Sequence, residues 1–122
     1  MKIHVFIPRG LRKEVVKEYE LSKLAESNND LHKAWWHLER AHILGQAWPM
    51  EHTRTHWRML LFAFRRKNLK EIIGQFPRLL VGGIKSFLGE IPVGNTGGAN
   101  VPPLKPLEIP NDLKAIIDLY PR

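Results

Sequence analysis

The sequence predicts an all-α protein: antiparallel helical hairpins, about four helices, followed by a long irregular Pro/Gly-rich C-terminal strap and a short terminal helix. Three observations carry this expectation. Apolar residues recur three or four positions apart through several long segments. Clusters of turn-forming residues, SNND at 27–30 and GQAWP at 45–49, punctuate that pattern, and the stretch PVGNTGGANVPP at 92–103 is too rich in Pro and Gly for regular structure. A chain of 122 residues holds one domain with a single core, here read as a helical core at about 10–90, a strap at about 91–110 and a terminal helix at about 111–120.

The first helix is expected over Leu11–Ala25, where Leu11, Val15, Val16, Tyr19 and Leu24 recur among charges. SNND closes it, and Asn29 or Asp30 is suited to cap the next helix by accepting from its free amides. The second helix runs from about Asp30 to Leu44, with Leu31, Trp35, Leu38 and His42 along one stripe and Gly45 as its stop. Pro49 suits the first turn of a third helix that reaches about Lys67. That helix carries His52, His56, Met59 and Ala63 on one face, with Trp57, Leu60, Leu61 and Phe64 beside it. A fourth helical segment starts at Leu69 and repeats Ile73, Phe76, Leu80 and Phe87, with Gly74, Pro77, Gly82 and Gly83 bending it near Pro77. Val93, Val101, Leu104, Leu107 and Ile109 would hold the strap to the surface, and NDLKAIIDLY forms a short capped helix.

Composition removes several function classes. With no cysteine there are no disulfides, thiolate ligands or Cys nucleophiles, so any metal is held by nitrogen, oxygen or Met sulfur. The amino-terminal apolar run is broken at Pro8, and LLVGGI at 79–84 falls far short of the roughly 20 residues a membrane span requires. A cytoplasmic protein without a membrane segment is expected. The net charge of +7 favours approach to anions, but the basic residues are scattered over every segment, so a nucleic-acid partner is not expected.

The chemistry concentrates in HLERAHILGQAWPMEHTRTH, residues 37–56, which holds four of the six histidines. At about 100° per residue, Glu39 and His42 share one helix face and His52 and His56 share another. A turn centred near Ala47 sets position 42 opposite 52 and position 38 or 39 opposite 56. His37 points about 140° away from His42 and is excluded, as are His4 and His32. The candidate metal ligands are therefore Glu39, His42, His52 and His56. One carboxylate and three imidazoles suit zinc first, with iron, manganese or copper(II) also accommodated, and Met59 one turn beyond His56 offers sulfur to copper(I). Glu39-x-x-His42 has the spacing of di-iron carboxylate bundles but occurs once, and a homodimer would be needed to double it. A zinc-peptidase motif is absent, since Thr53, Arg54 and Thr55 fill the gap between His52 and His56. The competing explanation is a structural polar cluster in which the histidines pack on Trp35, Trp36, Trp48 and Trp57 and Glu39 pairs with Arg54 or Arg58.

The segments HLERAH, HTRTHWRML, GQFPRLL and IPVGNTGGANV together resemble a family of small bacterial proteins known as a domain of unknown function, over about Leu31 to Leu113. The resemblance implies a bacterial cytoplasmic protein and brings no reaction, substrate or catalytic residue. Two functional expectations follow from the residues themselves. One is a small helical protein that binds a transition metal across its hairpin, for metal handling or a metal-dependent reaction. The alternative is a metal-free scaffold for a protein partner.

Overall fold

The computed structural model describes residues 5–68, 70–75 and 108–121. The fold is all-α, with no strand among the described residues. Helix α1 spans Arg9–Ser27, α2 spans Leu31–Gly45, α3 spans Pro49–Arg65, residues 70–75 form the described part of α4, and α5 spans Asn111–Ile117. No described helix is long and apolar enough to cross a membrane. The expected bend at Pro77 and nearly all of the strap lie outside the described residues.

Helix α1 starts two residues earlier than its apolar pattern suggests and buries Leu11, Val15, Glu18, Tyr19, Ser22 and Ala25. Leu24, expected on the core face, is 58% exposed. The buried stripe is completed by polar residues whose partners lie far along the chain. The Ser22 hydroxyl donates to the Ala34 carbonyl at 2.8 Å, and the Glu18 carboxylate accepts from Arg40 Nε at 2.7 Å and lies 3.2 Å from His37 Nδ1. Such pairing offsets the desolvation that would otherwise keep a carboxylate at the surface.

The turn after α1 follows from backbone geometry. Asn29 has φ 59°, the Asp30 amide reaches the Ala25 carbonyl at 2.9 Å and the Asn29 amide reaches Glu26 at 2.9 Å, which is a Schellman closure with Asn in place of Gly. The Asp30 side chain then caps α2 by accepting from the Lys33 amide at 3.2 Å. The end of α3 repeats the device, with Lys67 at φ 53° and the Asn68 amide on the Ala63 carbonyl at 2.9 Å. Asn68 in turn accepts from the Glu71 amide at 3.2 Å and opens α4.

Gly45 serves the α2–α3 corner by size rather than by conformation. It is the last residue of α2, not a stop beyond it, and Gln46 after it remains right-handed at φ −63°. A Cβ at Gly45 would stand 2.9 Å from Glu51 Cγ, so the missing side chain lets the start of α3 close against the end of α2. Trp48 and Pro49, both buried, fill the corner.

The core gathers Leu11 and Val15 of α1, Ala34, Leu38, Ala41 and Leu44 of α2, Met59 and Phe62 of α3, and Leu113 of α5. Each fully buried aliphatic side chain contributes about 1.5–3 kcal/mol. Helix α5 begins after Pro110 without the side-chain cap expected for it. It is fixed by Leu113, by Tyr120 lying against Gly10, and by an ion pair from Asp112 to Arg40, while Ile109 packs on the core just before it.

Candidate metal centre

The corner between α2 and α3 sets the register of the hairpin. His42 lies one turn from the end of α2, and His52 and His56 lie on the first two turns of α3. All three are buried. Their Nε2 atoms converge: His42 to His52 is 3.0 Å, His42 to His56 is 3.1 Å and His52 to His56 is 3.1 Å. The rings meet at centroid distances of 4.7–4.8 Å, edge-on or tilted, so no two are stacked flat.

The proton inventory of this triangle is informative. Gln75 of α4, fully buried, donates through Nε2 to Glu71 Oε2 at 3.2 Å, which turns its amide oxygen toward His56 Nδ1 at 2.6 Å. An amide oxygen only accepts, so a neutral His56 carries its proton on Nδ1 and presents a bare lone pair at Nε2. With neutral rings, at most two Nε2–H groups remain to bridge three contacts, and at least one pair of nitrogens faces without a proton between them. With all three protons on Nδ1, a cation shared by the three Nε2 atoms would take one lone pair from each.

The dimensions agree with such an ion. At the usual zinc–nitrogen distance of about 2.0–2.1 Å, an ion equidistant from the three nitrogens stands about 1 Å off their plane, with N–metal–N angles of about 97°. That is close to one face of an octahedron. Opening each edge by about 0.3 Å gives the tetrahedral angle that zinc prefers. The three ring nitrogens form a group whose ligand atoms all lie within 4.8 Å of one another.

Glu39 is half-buried, three residues ahead of His42 on α2, and its carboxylate is not a member of that nitrogen triangle. Of the two arginines considered as ion-pair partners for Glu39, Arg54 donates to Glu51 at 2.7 Å and Arg58 lies 4.1 Å over the Tyr19 ring. His37 sits apart from the triangle, on Glu18 and edge-on to Trp36. Met59 is fully buried in the core. Gln75 is the functional residue that sequence spacing missed, because its place depends on how α4 crosses α3.

A second polar seam holds α3 against α1. The Tyr19 hydroxyl donates to Glu51 Oε1 at 3.0 Å and lies 2.6 Å from Thr55 Oγ1. Burial, and then the Glu51 charge, push the Tyr19 hydroxyl well above the ordinary phenol range, so it stays a donor. This seam fixes the rotation of α3, which in turn aims His52 and His56 at α2.

Fold and site together define a small helical-hairpin protein with a buried tri-histidine cluster. Residues 9–117 match the family described as "Protein of unknown function (DUF3703)", and the chain belongs to that family. No curated protein and no solved structure matches it.

Proposed function

We propose that this protein binds a divalent transition metal through His42, His52 and His56, with Glu39 turning in to supply the fourth ligand, and serves metal handling or a metal-dependent reaction. The observation that carries the reading is the buried nitrogen triangle, three Nε2 atoms 3.0–3.1 Å apart with too few protons to bridge all three contacts, one of them held as a bare lone pair by Gln75. A structural histidine cluster has no need to bring three ring nitrogens to one centre with fewer protons than contacts. Three imidazoles and one carboxylate favour zinc, and the near-octahedral angle also suits iron or manganese.

The test is metal analysis of protein purified without a histidine tag, beside a His52→Ala, His56→Ala double variant and a Glu39→Gln variant. The proposal expects near-stoichiometric metal in the parent, loss in the double variant, and weakened retention in Glu39→Gln. A parent that takes up added zinc, iron and copper only in the millimolar range would overturn it. The scaffold reading draws on a separate feature, the exposed stripe Trp57, Leu61 and Phe64 along α3. Metal-free protein that still forms a stable complex through that stripe would favour it.

A further inference from the structure

A cavity of about 290 Å³ opens beside the amino-terminal ends of α1 and α3, away from the nitrogen triangle, and its charges do not balance. Arg9, Arg12 and Arg54 line it together with one carboxylate, Glu51. Three guanidiniums against one carboxylate leave a net charge of +2. Glu51 is only 1% exposed and already committed, accepting from Tyr19 through Oε1 and from Arg54 through Oε2, with Arg12 Nε at 4.0 Å. Arg9 has no ion-pair partner among the described residues. A guanidinium carries five N–H donors, so one short contact to Glu51 leaves most of those on Arg54 for another acceptor.

The excess stands at the start of a helix. Arg9 and Arg12 stand in the first turn of α1, which contains no acidic residue, and the positive end of a helix repels cations there. In the opposite groove, also lined by Lys23 and Arg58, Arg65 and Arg66 are both ion-paired with Glu26, whose carboxyl Arg65 holds below its ordinary range, whereas Arg9 is not paired among the described residues. The other wall of the cavity is apolar, formed by Phe6, Ile7 and Met50.

We infer that this cavity binds a small dianionic phosphate monoester with an apolar ester group. A phosphate monoester carries about −1.5 to −2 at neutral pH and would neutralise the +2 surplus, while arginine donors match its oxygens in pairs. Glu51 acts as the anchor that steadies Arg54 from behind, and Phe6, Ile7 and Met50 take the ester group. A monoanionic carboxylate of the same shape leaves one charge unanswered. The volume, at the lower edge of ligand pockets, sets the size of the guest.

The experiment uses phenyl phosphate, inorganic phosphate and benzoate as probes, titrated into the full chain and followed by heteronuclear NMR, with and without added zinc. Phenyl phosphate is expected to bind most tightly, to shift the amides of residues 9–12 and 50–54, and to lose affinity by about tenfold or more in Arg54→Gln and in Arg9→Gln. Arg65→Gln, in the opposite groove, is the control for general charge and should leave affinity within about twofold. Arg9→Gln touches no partner within the fold, so its loss of binding cannot be laid to unfolding. Phenyl phosphate that fails to bind below about 10 mM, or that binds equally well to Arg9→Gln and Arg65→Gln, overturns the assignment. So does zinc-dependent binding with no shift at residues 9–12, which would place the phosphate on the metal instead.

Discussion

Replacing Gln75 by Leu isolates the link between the hydrogen-bond network and the metal centre, because it removes an acceptor at nearly constant volume. In the parent, His56 Nδ1 donates to Gln75 Oε1 at 2.6 Å in a fully buried setting. Without that acceptor the N–H has no replacement from solvent, and a buried unsatisfied donor costs about 1–3 kcal/mol. Part of this returns through the apolar surface that Leu adds, so the metal-free variant should lose about 1–2 kcal/mol of stability, read from its urea midpoint. The larger effect falls on binding. An outer partner that fixes a ligating histidine is worth about 10–100-fold in metal affinity, equivalent to about 1.4–2.8 kcal/mol. Zinc competition against a chelating dye measures it, and imidazole nitrogen shifts report whether His56 still keeps its proton on Nδ1. A Gln75→Leu protein with native circular dichroism and zinc affinity within about twofold of the parent would refute the reasoning, since the tautomer would then need no external support.

Two further outcomes follow from the packing and the charges. Gly45→Ala gains about 1 kcal/mol in helix propensity but drives a Cβ to 2.9 Å from Glu51 Cγ; with overpacking at about 1–3 kcal/mol, net destabilisation of up to about 2 kcal/mol and weaker zinc binding are expected, and a stabilised variant would show that the corner has slack. Glu26 and Asp112 are held below the ordinary carboxyl range, the first chiefly by Arg65 and the second chiefly by Arg40. Their stabilisation is present above the unfolded carboxyl value of roughly 4 and disappears as pH falls through the lower folded values. Urea midpoints measured downward from neutral pH should therefore drop in that acid window, and less steeply in Glu26→Gln.

How much of this was legible in the sequence depends on the range of the interactions involved. The helical period and the GQAWP turn suffice to set His42 opposite His52 and to exclude His37, because both depend on fixed rotation per residue within one hairpin. Asp30 as a cap is equally local. Local reasoning failed at Leu24, exposed while Glu18 and Ser22 are buried, because the partners that admit those polar groups, Arg40, His37 and the Ala34 carbonyl, belong to α2. Gln75 was invisible for the same reason: the stripe expected for α4 ran through Ile73, which is exposed, and spacing alone gave no signal for the residue that meets His56. Gly45 illustrates a subtler limit. A glycine after a helix reads as a conformational stop, whereas its function here is to leave room for Glu51.

X-ray absorption at the zinc edge of the loaded protein tests the central assignment most directly. Multiple-scattering features of three imidazoles, with nitrogen at about 2.0–2.1 Å and one oxygen completing the shell, are predicted, falling to fewer imidazoles in His56→Ala. A first shell of five or six oxygens with no imidazole signature, unchanged by His56→Ala, would contradict it.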